Sequence, residues 1–306
     1  MRWRKLGLLY APDGSHAWAR SHALVPTPLL LENGALRIYF STCDANMVGR
    51  VTYIDVDRND PQHILRTATH PILNPGGIAC FDENGVNVTS IIQRGDELWM
   101  YYAGYQLCHT VRYLLFTGLA ISRDGGETFV RASQAPILDR SAKERFVRSG
   151  ATVIRDPSGG FHMWYASGNE FIEVNGKQVP RYGLRYLHSD DGLAWGSTGL
   201  AVLYPKDDDE YGFGRPFAMR TADGYRLWYS VRSRSKWYRI GFADSNDGLD
   251  WVRRDDEAGI DVSSSGWDSE IVCYASVMAV SDRTFMFYNG NDYGRFGFGV
   301  AELENG

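Results

Sequence analysis

The sequence predicts an all-β chain, a five-bladed β-propeller with four antiparallel strands per blade, on three observations. An aromatic strand returns five times, as "IYFS" ending at Ser41, "YYA" at Ala103, "WYA" at Ala166, "LWYS" at Ser230 and "MFYN" at Asn289. Its second aromatic, Phe40, Tyr102, Tyr165, Tyr229 or Tyr288, recurs about every sixty residues, a period that signals propellers or arrays. A turn phrase also repeats, "HSDDGLAW" from His188 to Trp195 and "DSNDGLDW" from Asp244 to Trp251, with a looser "SRDGGETF" from Ser122 to Phe129, while helical periodicity is absent throughout.

Each unit has the same internal order. A first strand of small and β-branched residues ("VPTPLLL", "VNVTSII", "SGATVI", "RPFAM", "YASVMAV") meets a polar turn and then the aromatic strand, which together read as a hairpin. A third strand follows ("RVTYIDVD", "FTGLAISRD", "YGLRYLHSD", "YRIGFADSN", "FGFGVAEL"), and a turn leads to a fourth ending in "HPIL", "APIL" or "AVLYP". In the turn phrase, Asp124, Asp191 and Asp247 read as turn staples whose carboxylates accept from backbone N–H groups. The Gly supplies positive φ, and the Trp or Phe begins a new strand. The fifth unit ends at "AELENG" after three strands, but the N-terminal "LGLLYAP" echoes the "GLAVLYP" of the third unit. The N-terminal strand is therefore expected to complete the last blade, making residues 1–306 one domain whose radial repetition leaves few open sheet edges.

The 306 residues are 44% hydrophobic and 13% aromatic, ample for a large core, and the formal net charge of −5 comes with no basic block. Nucleic acid and anionic membranes are poor partners for such a chain. No apolar run approaches the roughly 18 residues of a membrane span, and the N-terminus lacks the apolar core and cleavage site of a signal peptide. The expectation is a cytoplasmic protein. Cys43, Cys80, Cys108 and Cys273 have neither metal-ligand spacing nor a disulfide pattern, so buried free thiols are expected and no metal or other cofactor is assigned.

In a propeller the first strand of each blade lines the central channel, so the residues leading into it ring one mouth. "FDENGVN", "AKERFVRS", "DDEYGFGRP" and "WDSEIVCY" place Glu83, Glu144, Glu210 and Glu270 in register, with Asp82, Asp209 and Asp268, Arg145, Arg148 and Arg215, and Tyr274 beside them. The first unit instead offers Trp18, Arg20 and His22. Such carboxylates either solvate a loop and pair with the neighbouring arginines or, crowded in a funnel, shift one another's pKa values into an acid and a base. Trp18, Tyr105, Trp237, Trp267 and Tyr274 either present flat faces to sugar rings or belong to the core.

With its strand order, its S-x-D-G-x-x-W turns, its "HPIL/APIL" endings and the run from "GWDSE" to "YNGNDYG", the chain resembles the five-bladed glycoside hydrolase superfamily. That superfamily includes the family-43 arabinanases and xylosidases, the family-32 β-fructosidases and the family-130 mannoside phosphorylases. "SHALVPTPLLL", "GWDSE" and "YNGNDYG" are similar to glycosyl-hydrolase-like proteins encoded near bacterial surface-polysaccharide genes, which implies a glycan context. By this resemblance Asp82 and Glu144 fill the pKa-tuning and acid positions. The first blade, however, has no carboxylate between Ser21 and Pro28, where the base is expected, and only Asp13 or Asp44 is near enough to reach in. "RDP" at Arg155 to Pro157 looks like the fructosidase motif but reads as turn chemistry. Resemblance admits a channel calcium, which no D-x-D-x-D-G loop supports.

The expected function is a glycan-acting enzyme that cleaves or transfers a glycosidic bond with paired carboxylates. Glu144 would be the acid, and Glu270 or Glu83 the base about 6.5–9.5 Å away in an inverting enzyme. His22, Arg20, Arg148, Arg215, Glu210, Asp268 and Tyr274 would bind a carbohydrate, including a phosphorylated or acidic one. Three alternatives stay open: a phosphorylase or transferase, since phosphate is its own nucleophile and suits bidentate arginines, a non-catalytic carbohydrate-binding propeller, and a scaffold with no small ligand.

Overall fold

A computed structural model describes residues 1–304. The architecture is all-β and runs as successive antiparallel meanders. The first comprises β2 (Ser21–Leu30), β3 (Leu36–Cys43), β4 (Gly49–Val56) and β5 (Ile64–Thr67). The second has β6 (Val86–Arg94), β7 (Glu97–Leu107), β8 (Tyr113–Ser122) and β9 (Val130–Arg131). The third has β10 (Val147–Arg155), β11 (Phe161–Val174), β12 (Lys177–Ser189) and β13 (Leu200–Leu203). The fourth has β14 (Glu210–Thr221), β15 (Gly224–Ser233), β16 (Arg239–Ser245) and β17 (Val252–Arg253). Last come β18 (Cys273–Val280), β19 (Arg283–Asn289) and β20 (Phe298–Leu303), whose free edge is taken by β1 (Trp3–Tyr10) from the other end of the chain. Short parallel pairings, β8 with β10 and β12 with β14, join the second, third and fourth meanders into one twelve-stranded sheet.

The core lies between meanders rather than within any one. Tyr39 and Val51 pack with Val88 and Tyr102, Tyr101 with Met163 and Tyr165, Trp164 and Leu184 with Phe213 and Tyr229, and Trp228 and Ile240 with Val277 and Tyr288. Phe285 and Phe287 of the last meander then pack on Ile38 and Phe40 of the first. The aromatic strands are consequently covered on both faces, which is why they read as unbroken apolar runs instead of alternating ones. The first strands also meet in sequence, β2 against β6, β6 against β10, β10 against β14, β14 against β18, and β18 against β2.

The repeated turn phrase fastens the third and fourth meanders to their predecessors. Ser189 Oγ bonds Asp191 and accepts the Gly192 N–H at 2.9 Å, while Asp191 accepts the N–H groups of Leu193 and Ala194. Gly192 at φ 76° then gives its carbonyl both to Trp195 Nε1 and to the Tyr101 hydroxyl of the preceding meander. One meander on, Gly248 serves Trp251 and Trp164 in the same way. The corresponding Nε1 of Trp228 is buried without a partner among the described residues.

Every first strand carries a β-bulge near its start, opposite Ser41, Tyr102, Tyr165, Ser230 and Asn289. Bulges re-aim side chains and gather at functional rims. Val25, Gly150, Arg215 and Tyr274 sit in these bulges at positive φ, and Asn289 Oδ1 accepts the Val25 N–H while Ser230 Oγ accepts that of Tyr274.

Candidate functional site

Of the four glutamates expected in register, Glu144 and Glu210 join a repeated buried staple, and Asp82 and Asp268 take the places expected for Glu83 and Glu270. Asp82 accepts from the Tyr102 hydroxyl and from Arg131 on β9; Glu144 accepts from Tyr165, from Arg148 and from the Gly199 N–H; Asp268 accepts from Tyr288 and from Lys5 on β1. In the fourth meander Arg253 grips Glu210 with two 2.8 Å bonds and also bonds Asp255, which accepts from Tyr229. Thus in the last four repeats the second aromatic bonds a carboxylate that also holds a cation. Phe40 lacks the hydroxyl, and the first unit lacks the carboxylate. Burial, then the adjoining carboxylate, holds the phenols of Tyr102, Tyr165, Tyr229 and Tyr288 well above the ordinary range. Burial works to raise Glu210, but the Arg253 bonds, the Lys206 N–H and the charges of both residues together outweigh it and keep this carboxyl below its usual value.

Asp82, Glu144, Glu210 and Asp268 are all buried, and Glu144 has no solvent contact. Glu83 is half-buried and accepts the Ala79 N–H. Glu270 is exposed, and its backbone N–H donates to Asn291. Asp209 is engaged by Ser235, and exposed Arg145 by Asn169. Trp18 stacks on His16, Trp237 lies exposed, and Trp267 packs on Tyr288.

Arg215 reaches the centre of the fold. Its guanidinium donates to the Ala275 carbonyl and to Ser276 Oγ on β18, to Thr27 Oγ1 on β2 and to the Thr89 carbonyl on β6, while Gly150 of β10 packs on its backbone. Among the described residues no carboxylate contacts it, and burial pulls its pKa below the usual arginine value. It ties the first strands together rather than lining an open channel.

Around this hub, at the end where the first and third strands begin, tyrosines converge. They are Tyr105, Tyr113, Tyr182, Tyr211, Tyr238, Tyr274 and Tyr293, all but Tyr238 retaining partial solvent contact. Tyr238 lies edge-on to Tyr274 and Tyr293, with centroids 6.1 and 5.0 Å away, and Tyr105 to Tyr113 at 5.8 Å. Asn87 donates to the Tyr105 hydroxyl. Burial raises Tyr105 and Tyr274, helped by neighbouring phenols at Tyr105 and by Cys273 and then phenols at Tyr274, and burial pushes Tyr182 up to about 12 against the opposing pull of Arg232. Arg232, on β15, stands 4.6 Å from the Tyr182 ring and 4.5 Å from that of Tyr211.

This recess adjoins, through Tyr293, a cavity of about 410 Å³ lined by Arg20, His22, Asp44, Asp292 and Arg295. His22, Asp292 and Tyr293 hold positive φ, strain that concentrates at working sites. Burial and Arg295 lower the His22 pKa against the pull of Asp292, so its imidazole is neutral at pH 7. Asp44 is tied to Arg50 and to the N–H groups of Asn46 and Val48. Among the described residues no group of three or more His, Cys, Asp or Glu side chains is placed to hold a metal. Of the residues expected from the sequence, the structure brings His22, Arg20, Tyr105 and Tyr274 to this mouth. Sequence reasoning missed Tyr113, Tyr182, Tyr211, Tyr238, Tyr293 and Arg232. Aligning the starts of the third strands ("RYLLF", "RYGLRY", "KWYRI") would have found three of these tyrosines.

No protein-family model matches the chain. It is 38% identical over 305 residues, spanning 100% of both proteins, to "Uncharacterized protein Rv1502" of Mycobacterium tuberculosis H37Rv, and equally so to MT1551 of strain CDC 1551. Among solved structures, the protein BT0996, determined in a complex with RGII, superposes at TM-score 0.78 with 18% identity, covering 99% of this protein and 92% of that one. A thermostable family-43 glycoside hydrolase gives 0.62 at 16% identity, covering 95% and 93%. A member of the GH130 family, whose glycoside hydrolases target β-1,2 mannosidic linkages in Candida mannan, gives 0.71 at 14% identity, covering 99% and 93%. The fold is that of propeller-type glycoside hydrolases.

Proposed function

We propose, on the premise that the chain belongs to the family of the mycobacterial protein Rv1502, that it is a single five-bladed propeller and a glycan-acting enzyme that cleaves or transfers a glycosidic bond. Pairing of β1 with β20 and the apolar cluster between the last and first meanders support the closed ring. The observation that carries the glycan reading is the convergence of seven tyrosines on one mouth. Their ring faces suit the C–H face of a sugar, and their hydroxyls both donate and accept toward its hydroxyls.

In this reading Asp82, Glu144, Glu210 and Asp268 hold the rim in shape, and the chemistry falls to groups that solvent reaches. Glu270 and Asp292 lie in neighbouring segments joined by the Asn291 bond to the Glu270 N–H, and Asp292 faces the cavity beside His22. A carboxyl there can protonate a leaving glycosidic oxygen. A second reading, phosphorolysis, is favoured by Arg20 and Arg295 lining the same cavity: phosphate supplies its own nucleophile, so the absence of a first-blade carboxylate costs nothing.

The test is a glycan array of neutral and acidic oligosaccharides, followed by turnover of the retained glycans with and without inorganic phosphate. Retention and cleavage are expected, phosphate-independent for hydrolysis and phosphate-dependent for phosphorolysis. Retention of no glycan, or retention without turnover in either condition, refutes the enzyme reading.

A further inference from the structure

Of the other three buried arginines, two have their charge answered. Arg37 grips Asp55 through its Nε and Nη2 edge at 2.6 and 2.9 Å, and Arg148 pairs with Glu144. Arg215 has no carboxylate, but both its terminal nitrogens are bonded to carbonyl or hydroxyl oxygens. Arg232 is different. It is 5% exposed, and its only side-chain hydrogen bond among the described residues runs from Nη1 to the Pro180 carbonyl at 3.0 Å. Its Nε is buried without a partner, and Nη2, also unbonded, is not among the fully buried atoms. The ionisable groups facing it are the phenols of Tyr182, Tyr238, Tyr113 and Tyr211, with no carboxylate among them. Tyrosine faces stabilise a guanidinium by cation–π attraction but do not neutralise it, and a buried charge ordinarily has an opposite charge beside it.

We infer that Arg232 is an anion anchor at the floor of the tyrosine recess, and that the ligand carries a carboxylate or phosphate group on its sugar. This rests on the glycan reading above and narrows it to an acidic glycan. The free edge of Arg232 is the edge Arg37 uses on Asp55, so an oxyanion would first accept from Nη2 at the recess surface and from Nε behind it. The flanking tyrosines would stack on the sugar bearing that group. Arg148 and Arg215, though cationic and close to the channel in sequence register, have their terminal donors already engaged.

The experiment is calorimetric titration of the intact chain and of Arg232→Gln and Arg232→Lys with D-glucuronate, glucose 1-phosphate, glucose and inorganic phosphate. The unmodified protein should bind glucuronate or glucose 1-phosphate at least tenfold tighter than glucose. The preferred arm tells carboxylate from phosphate. Arg232→Gln should weaken that binding about ten- to a hundredfold, the usual worth of a charged hydrogen bond, and leave glucose unchanged, while Arg232→Lys should recover only part because it lacks the fork. Should either variant not fold, the Arg232 Nε nitrogen resonance of the unmodified protein, which must shift on adding the anionic sugar, decides instead. No preference for the anionic sugars, undiminished binding by folded Arg232→Gln, or an unmoved resonance overturns the inference. If neutral array glycans bind while anionic probes do not, the glycan reading survives and the anchor falls. If inorganic phosphate binds through Arg232 as tightly as any sugar, the anchor stands and the glycan reading loses its support.

Discussion

Lys5 and Asp268 stand 2.7 Å apart, joining the strand that opens the chain to the segment that leads into its last meander. Asp268 is buried and also accepts from Tyr288, so this pair, together with buried Trp3 and Leu9, fastens the N-terminus. Lys5→Met removes one partner of a buried carboxylate and should cost about 1–3 kcal/mol. Deletion of residues 1–12 should cost more, because β20 loses its pairing partner along with the apolar cover of Trp3 and Leu9. Thermal melts of both proteins check this, and an unchanged melting temperature in the truncated chain would show that β1 does not hold the fold together.

The tyrosine–carboxylate staple makes an opposing pair of predictions. Tyr165→Phe removes a donor from Glu144 and should destabilise by about 1–3 kcal/mol. Phe40→Tyr places a hydroxyl in the one repeat that has no carboxylate for it, among Tyr10, Ile38 and Phe298, and should also destabilise. Denaturant titration of the two variants measures both; a stabilised Phe40→Tyr would mean that the first unit hides an acceptor.

Trp195 and Trp251 close equivalent turns but differ in burial, Trp195 being 2% exposed and Trp251 only partly covered. Trp195→Ala should cost about 3–5 kcal/mol and Trp251→Ala distinctly less. Equal losses in melting temperature would contradict the difference in packing.

Glu127 gathers Arg66, Tyr53 and Arg37 on its carboxylate, and although burial works to raise its pKa, these hydrogen bonds bring it down to about 2. Since the folded value lies below the unfolded one of about 4.3, its contribution is present above that pH and is lost as the pH falls toward 2. The melting-temperature gap between the unmodified protein and Glu127→Gln should therefore narrow between about pH 4.5 and 2. A gap independent of pH would mean that the carboxylate does not act through its charge.

The repeats were legible because a sixty-residue period of aromatic strands and Asp–Gly turns survives in sequence whatever each side chain faces. The β1 partnership was legible for the same reason, as "LGLLYAP" repeats the outer-strand signature. The orientation of the pre-strand carboxylates was not. Register placed Glu144 and Asp82 at the rim, but their partners Tyr165 and Tyr102 come from the neighbouring aromatic strand, and only three dimensions show the carboxylates turned toward them. The recess escaped because its tyrosines come from the first strands, the second strand's end and the third strands' starts, at no constant spacing. Arg215 was named as a substrate ligand from its place in "DDEYGFGRP", the run leading into a first strand at the rim. Its bulge at φ 34° turns it instead onto the first strands across the channel.

The most direct test of the central claim is a crystal structure of the protein with an array-selected glycan bound. The expected result is a glycan in the recess, with a sugar ring against Tyr182, Tyr211 or Tyr274 and its reacting bond toward the cavity of His22 and Asp292. A glycan seated elsewhere, with these tyrosines untouched, would contradict it.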